Sequence, residues 1–158
     1  RVYSEQGHGT KFEVYLPAQT NPTAPVPTAE VELPRGHGEL VLVVDDEPSV
    51  RQITQQTLEA FGYRVVLAHD GAEAIAIYAA RRPEIAVVLT DMMMPVMDGP
   101  TTIRVLRRMN PAVRIIAASG LTTHEHASRS GNSMIQHFLA KPYTADVLLQ
   151  VLRDCLRP

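Results

Sequence analysis

Five residues carry groups suited to phosphoryl chemistry, and they are scattered along the chain: Asp45, Asp46, Asp91, Ser119 and Lys141. Crowded carboxylates repel one another, and their ionised forms need a cation nearby. A partly hydrated set of oxygen ligands suits Mg2+ better than zinc or copper. An accessible carboxylate is also a competent nucleophile toward phosphorus, and the product is a mixed anhydride. In such a transfer the protein mainly positions groups and stabilises charge. A lysine ammonium offers a point charge to phosphate oxygens, and a serine hydroxyl adds one hydrogen bond. Taken singly, these residues say little. An acidic pair after a strand is commonly a helix N-cap, and a lone aspartate at a strand end is commonly a turn residue. Their meaning depends on whether the fold brings them together.

The elements that would do so are legible from Glu39 onward. "ELVLVVD" is a continuous β-branched run, as expected of a strand buried on both faces. In "PSVRQITQQTLEAFGY", Val50, Ile53, Thr57, Leu58 and Phe61 recur at helical spacing, with Pro48 opening the helix and Gly62 closing it. "RVVLA" is a second strand. Asp70 and Glu73 form a capping-box pair for the helix "GAEAIAIYAARR", which Pro83 ends. "EIAVVLTD" is a third strand, "GPTTIRVLRRM" a helix, "VRIIAAS" a fourth strand and "MIQHFLA" a fifth. The last helix runs from Thr144, with Val147, Leu148, Val151, Leu152 and Cys155 on one face. Between Leu121 and Ser133 the apolar stripe is weak, and a short or irregular element is expected. Strands alternating with helices imply parallel βαβ units, hence a doubly wound α/β sheet with helices on both faces. In such sheets ligands bind at the carboxyl ends of the strands. Asp45 and Asp46 follow the first strand, Asp91 ends the third, Ser119 ends the fourth, and Lys141 follows the fifth. The fold would gather all five on one edge.

Residues 1–16 differ. Two alternating runs, "RVYSE" and "TKFEVYL", flank "QGHG", which reads as a hairpin, with Phe12, Val14 and Leu16 facing one way. Residues 17–38 hold Pro17, Pro22, Pro25, Pro27 and Pro34 and read as a linker with no apolar face to bury. Residues 39–158 form the main domain. The net charge of −2 gives no footprint for nucleic acid or an anionic membrane. Cys155 is the single cysteine, so an internal disulfide is excluded and a reducing, cytoplasmic compartment is expected. No apolar run is long enough for a membrane span, which leaves any anchor to other parts of a parent protein. The chain opens on Arg1, and a piece of something longer is the expectation.

The blocks "LVLVVDDEPSVR", "VVLTDMMMPVMDG", "IIAASG" and "FLAKPY" resemble the four signature blocks of response-regulator receiver domains, over about 120 residues and at the family's spacing. The resemblance implies a flavodoxin-like five-stranded parallel sheet of order 2-1-3-4-5. It makes Asp91 the phosphoacceptor, fed from a phosphohistidine. Asp46 and Asp91 would ligate Mg2+ directly, together with the backbone carbonyl of Met93, and Asp45 through water. Ser119 would hold a phosphate oxygen, and Lys141 would pair with the phosphoryl charge. The Lys141–Pro142 bond is expected to be cis. Phe138 occupies the place of the family's switching aromatic, without a tyrosine hydroxyl. Met93 and Leu121 stand where side chains flank the hydrolytic water. Both are apolar, which implies slow hydrolysis. The module would catalyse only its own phosphorylation and dephosphorylation.

"VYSEQGHGTKFEVYLP" is similar to the closing hairpin of a histidine-kinase ATP-binding domain, whose nucleotide-binding boxes are absent here. Kinase tail, linker and receiver in that order imply a hybrid sensor histidine kinase with no DNA-binding output. The implied partners are a histidine-kinase dimerisation and phosphotransfer domain and a downstream histidine phosphotransfer protein. Dimerisation of the chain is left open. A hairpin cut from its sheet is marginal alone and is expected to pack on a neighbouring molecule or on the receiver. Three alternatives compete. A Mg2+-dependent phosphohydrolase of the haloacid-dehalogenase kind needs an aspartate where Met93 stands. A dinucleotide-binding module needs a glycine-rich first loop where Asp-Asp-Glu-Pro stands. A degenerate docking receiver would not need the intact acidic and basic set. His124 and His126 lack a third metal partner and read as a solvated face, and Met92-Met93-Met94 reads as packing beside the acceptor.

Overall fold

The computed structural model describes residues 1–15, 33–120, 135 and 137–157. The chain divides into two units, Arg1–Val31 and Glu32–Pro158. Leu16, most of the proline-rich stretch, and the weak segment with Leu121, His124 and His126 lie outside the described residues.

In the first unit, β1 (Val2–Glu5) pairs antiparallel with β2 (Gly9–Phe12), with Val2 opposite Phe12 and Glu5 opposite Gly9. Gly7 and Gly9 adopt positive φ, as a tight connection requires. Ser4 and Thr10 join their hydroxyls across the ladder at 2.9 Å. The second strand is shorter than its alternation suggests and ends at Phe12, leaving Val14 beyond it. Val2, Tyr3, Phe12 and Val14 are all exposed.

The second unit is a five-stranded parallel sheet of order β4-β3-β5-β6-β7. Its strands are β3 (Leu40–Val44), β4 (Arg64–Ala68), β5 (Ile85–Asp91), β6 (Ile115–Gly120) and β7 (His137–Lys141). This is the doubly wound order that the blocks implied. Period-two alternation splits β3 between two cores. Leu40, Leu42 and Val44 face the cluster closed by α2 (Gly71–Arg81) and α3 (Gly99–Met109), while Val41 and Val43 face the cluster closed by α1 (Pro48–Ala60) and α4 (Ala145–Leu156). Full burial of each such side chain contributes about 1.5–3 kcal/mol. Cys155 sits in the second core, where burial pushes its thiol up to about 11.

Caps set the helix starts. Asp70 accepts the Glu73 N–H at 2.8 Å, and Asp98 accepts the Thr101 N–H at 2.9 Å. The capping box at Asp70 is displaced by one residue, because the Glu73 carboxylate takes the N–H of His69 at 2.7 Å. Two helix faces are rotated from the expected stripe. In α1, Thr54 and Leu58 are buried and Ile53 is exposed, since Thr54 turns inward to share a hydrogen bond with the Tyr143 hydroxyl at 3.3 Å. In α4, Leu149 is buried and Val147 is exposed. The fifth strand is described from His137 to Lys141, Met134 and Gln136 lie outside the described residues, and Ile135 packs on the first core.

The end of the proline-rich stretch is docked, contrary to the expectation that it buries nothing. Leu33 packs on the second core and the Arg35 guanidinium lies over the Phe61 ring at 5.6 Å. Gly36 donates to Phe61 O at 2.8 Å and Gly38 to Gly62 O at 2.9 Å. The fit needs two glycines. A Cβ on Gly36 would sit 2.5 Å from the Tyr63 ring, and one on Gly62 would sit 2.6 Å from the Gly36 carbonyl oxygen.

Candidate functional site

The sheet reverses winding at β3, with β4 on one side and β5 on the other. The carboxyl ends of β3 and β5 therefore open onto a crevice at the switch point. Asp45 and Asp46 follow β3 directly, and Asp91 is the last residue of β5. One carboxylate oxygen from each of Asp45, Asp46 and Asp91 lies within 4.8 Å of the others. Asp45 and Asp91 are buried, and Asp46 is exposed.

Lys141 ends β7, two strands away from β5, yet its ammonium reaches both buried carboxylates. Nζ donates to Asp45 Oδ2 at 2.6 Å and to Asp91 Oδ2 at 2.7 Å. Burial alone would lower the Lys141 pKa. The hydrogen bonds and charge of Asp45 and Asp91 outweigh it, and the ammonium is held above its ordinary value. The following Lys141–Pro142 bond is cis, as expected. Asp91 Oδ1 accepts the N–H of Met93 at 3.1 Å, while Met93 itself is 69% exposed.

Ser119 lies beside this edge. Its neighbour Ala118 pairs with Asp91 across β5–β6, and Ser119 itself pairs with Ala140 across β6–β7. The hydroxyl is buried and has no hydrogen-bond partner among the described residues. A buried unpaired hydroxyl is costly unless something else arrives to pair it. Phe138 is not at the edge. It sits three residues before Lys141 and packs, half-buried, against the first core.

Two residues with no role in the sequence reading belong to this edge. The Glu47 N–H donates to Asp45 Oδ1 at 2.9 Å, and Arg51 Nη1 donates to the carbonyl oxygen of Asp45 at 2.5 Å. One signal was available for Arg51. A cation in the first turn of a helix opposes the helix dipole, so its presence there wants a local partner. The residues from Met93 to Asp98 connect the end of β5 to α3. Val96 there has φ of 66°, unusual for a β-branched residue, and is almost fully exposed. Gly99 begins α3 hard against the strand end, where a Cβ would lie 2.4 Å from Asp91 O and 2.6 Å from Met92 Cα.

The donor set suits a hard divalent cation. It is made of carboxylate oxygens, with two buried and one facing solvent, which leaves room for bound water. Among the described residues the cluster holds carboxylates alone, a set that suits zinc and copper poorly.

The profile of the response regulator receiver domain family matches residues 41–153. Sensor kinase CckA of Brucella abortus is 32% identical over 161 residues, an alignment that covers 97% of this chain and 17% of that protein. Response regulator MprA of Mycobacterium ulcerans is 36% identical over 117 residues, covering 74% of this chain and 50% of that protein. The chain thus spans half or less of the length of either relative. A response regulator receiver domain from Clostridium thermocellum has a crystal structure that superposes with a TM-score of 0.70 at 28% identity, covering 74% of this chain and 93% of that one. Among the described residues no helix is long and apolar enough to cross a membrane. The switch-point crevice, the parallel strand order and the matched span agree, and the chain belongs to the response regulator receiver domain family.

Proposed function

We propose that this receiver accepts a phosphoryl group from a phosphohistidine onto Asp91, with Mg2+ as cofactor. The observation that carries the reading is the pairing of the Asp91 carboxylate with Lys141 beside Asp45, Asp46 and the unpartnered Ser119 hydroxyl. In the transfer, an Asp91 carboxylate oxygen bonds to phosphorus as the phosphorus–nitrogen bond of the donor breaks. The electron pair returns to the imidazole ring. Lys141 remains tied to Asp45 and lies within reach of an oxygen of the transferred group. Ser119 gains the hydrogen bond it lacks. Asp46 and Asp91 would hold the cation directly, with the Met93 carbonyl. Asp45, which holds the Glu47 N–H and the Lys141 ammonium, would act on the cation through water. Bound Mg2+ would neutralise charge on the phosphoryl oxygens. Ser119 and Phe138 would carry the switch, Phe138 through packing alone.

The wider setting is also part of this proposal. The alignment with CckA covers 97% of the chain, more than the receiver span alone. That supports residues 1–16 as the end of a kinase ATP-binding domain, residues 17–38 as its connection, and residues 39–158 as the receiver of a hybrid histidine kinase. The donor would be the kinase's dimerisation and phosphotransfer domain. A separate histidine phosphotransfer protein would take the group onward.

The test is intact mass after incubation with acetyl phosphate. With Mg2+ the chain is expected to gain one phosphoryl group, located at Asp91 by fragmentation, and with EDTA none. No gain in Mg2+, or an equal gain in EDTA, sinks the reading. Once formed, phospho-Asp91 is expected to last minutes or longer, because the side chain of Met93 offers the attacking water no hydrogen bond. Loss within seconds in Mg2+, followed by mass after donor removal, would contradict that expectation.

A further inference from the structure

Asp46 is the exposed member of the acidic set, and its carboxylate makes no hydrogen bond among the described residues. The backbone therefore decides the direction of its Cα–Cβ bond and hence where the carboxylate can reach. Both peptide groups that flank it are tied. The Asp46–Glu47 peptide donates its N–H to Asp45 Oδ1 at 2.9 Å. The Asp45–Asp46 peptide accepts, through the Asp45 carbonyl, from Arg51 Nη1 at 2.5 Å. The first tie comes from the neighbouring aspartate. The second reaches back from the opening of α1, where the Arg51 N–H is itself anchored on Glu47 O at 3.1 Å. Among the described residues Arg51 has no carboxylate partner, and its place near a helix N-terminus is electrostatically disfavoured.

We propose that Arg51 is a positioning residue for Mg2+: it locks the Asp45–Asp46 peptide so that the Asp46 carboxylate faces Asp91. This rests on Asp46 being a Mg2+ ligand, as proposed above. Two effects of the guanidinium oppose each other, and that makes the proposal testable by sign. As a nearby positive charge, Arg51 repels a cation and weakens its binding. As a clamp on the peptide, it strengthens binding by holding a ligand in place. The clamp is the larger effect, because without it one of the two peptides that aim Asp46 turns freely, while the charge is partly exposed and screened by water. Partners that orient a metal ligand from behind change affinity by roughly 10- to 100-fold. Arg51 acts on the ligand's backbone and belongs at or below the bottom of that range.

The experiment is calorimetric titration of MgCl2 into the complete 158-residue chain, as wild type, Arg51→Met, Asp46→Asn and the double variant. Arg51→Met is expected to weaken Mg2+ binding about 3- to 10-fold. In the Asp46→Asn background it is expected to change nothing further. Unchanged or tighter binding in Arg51→Met overturns the proposal, since charge alone would then describe Arg51. An equal loss in the Asp46→Asn background also overturns it, since Arg51 would act through some other group. A wild type that takes up no Mg2+ removes the Mg2+ reading and this proposal together, whereas normal wild-type uptake with an unaffected Arg51→Met removes this proposal alone. If circular dichroism shows that Arg51→Met is unfolded, Arg51→Gln replaces it, with a donor nitrogen two bonds too short for the Asp45 carbonyl. The same weakening is then expected, and its absence counts as refutation.

Discussion

Asp91→Ala is expected to take up no phosphoryl group from acetyl phosphate and Mg2+ while remaining as well folded as the wild type. The chemical half of this follows from the geometry. Asp45 and Asp46 are close neighbours of Asp91, but they follow β3, and Asp46 is exposed, whereas Asp91 ends β5 opposite Ala118 on the strand that carries Ser119. Neither replaces the carboxylate at the end of β5, on the strand next to Ser119. The structural half follows from what the substitution leaves behind. Lys141 keeps its bond to Asp45, so no charge is buried alone. The Met93 N–H loses its acceptor, but it belongs to an exposed residue, and water can take over. Three crowded carboxylates become two, which relieves repulsion. The net change in stability should stay within about 1 kcal/mol, as for substitutions that leave no buried group unpaired. Intact mass and a urea melt, run on one preparation, decide the matter. Stoichiometric labelling of Asp91→Ala would move the acceptor elsewhere.

Gly99→Ala is expected to cost about 2–3 kcal/mol, in the upper part of the range for overpacking a tight site. A methyl there meets main-chain atoms, namely the carbonyl oxygen of Asp91 and the Cα of Met92. Main chain cannot swing aside as a long side chain does. Either α3 lifts from the sheet or the end of β5 is pushed away from it. Alanine's better helix propensity recovers at most about 1 kcal/mol. Because Gly99 N–H also bonds the Met92 carbonyl at 3.2 Å, the shift would be transmitted to the residues around the acceptor. The variant should therefore show both a lower urea midpoint and slower phosphoryl uptake. A wild-type midpoint would mean that the close approach of α3 to β5 is absent in solution.

Much of the sheet could be read from the chain because its strands are short runs of β-branched residues with no competing period. β3 is the clearest case, since every residue from Leu40 to Val44 is buried. A helix start was legible where a side chain caps the helix at Asp70, whereas the cap by Asp98 shows only in the structure. What failed was set by distant partners. Thr54 is buried in place of Ile53 because Tyr143, 89 residues away, turns it inward. Leu33 to Gly38 look like linker by composition, and only the close approach of Gly36 to Tyr63 and of Gly62 to Gly36 reveals that they are docked. The same holds at the candidate site. The gathering of Asp45, Asp46, Asp91 and Lys141 on one edge follows from strand order, whereas the bond from Arg51 to the Asp45 carbonyl depends on one side-chain rotamer. The unpaired state of Ser119 is invisible in sequence, because any serine at a strand end has neighbours that could serve it.

The lone thiol in the second core has a practical consequence. At neutral pH a group titrating near 11 is ionised in roughly one molecule in ten thousand, and thiolate is the form that reacts. Cys155 is also shielded by the surrounding Leu148, Leu149 and Leu152. Maleimides and mild oxidants will leave it untouched while the chain is folded. A cysteine introduced at an exposed position, such as Ile53 or Val96, would then be the sole reactive thiol. The native sequence is thus a silent background for attaching a fluorophore or spin label beside the crevice, and movement of the rim can be followed without first removing a residue from the core.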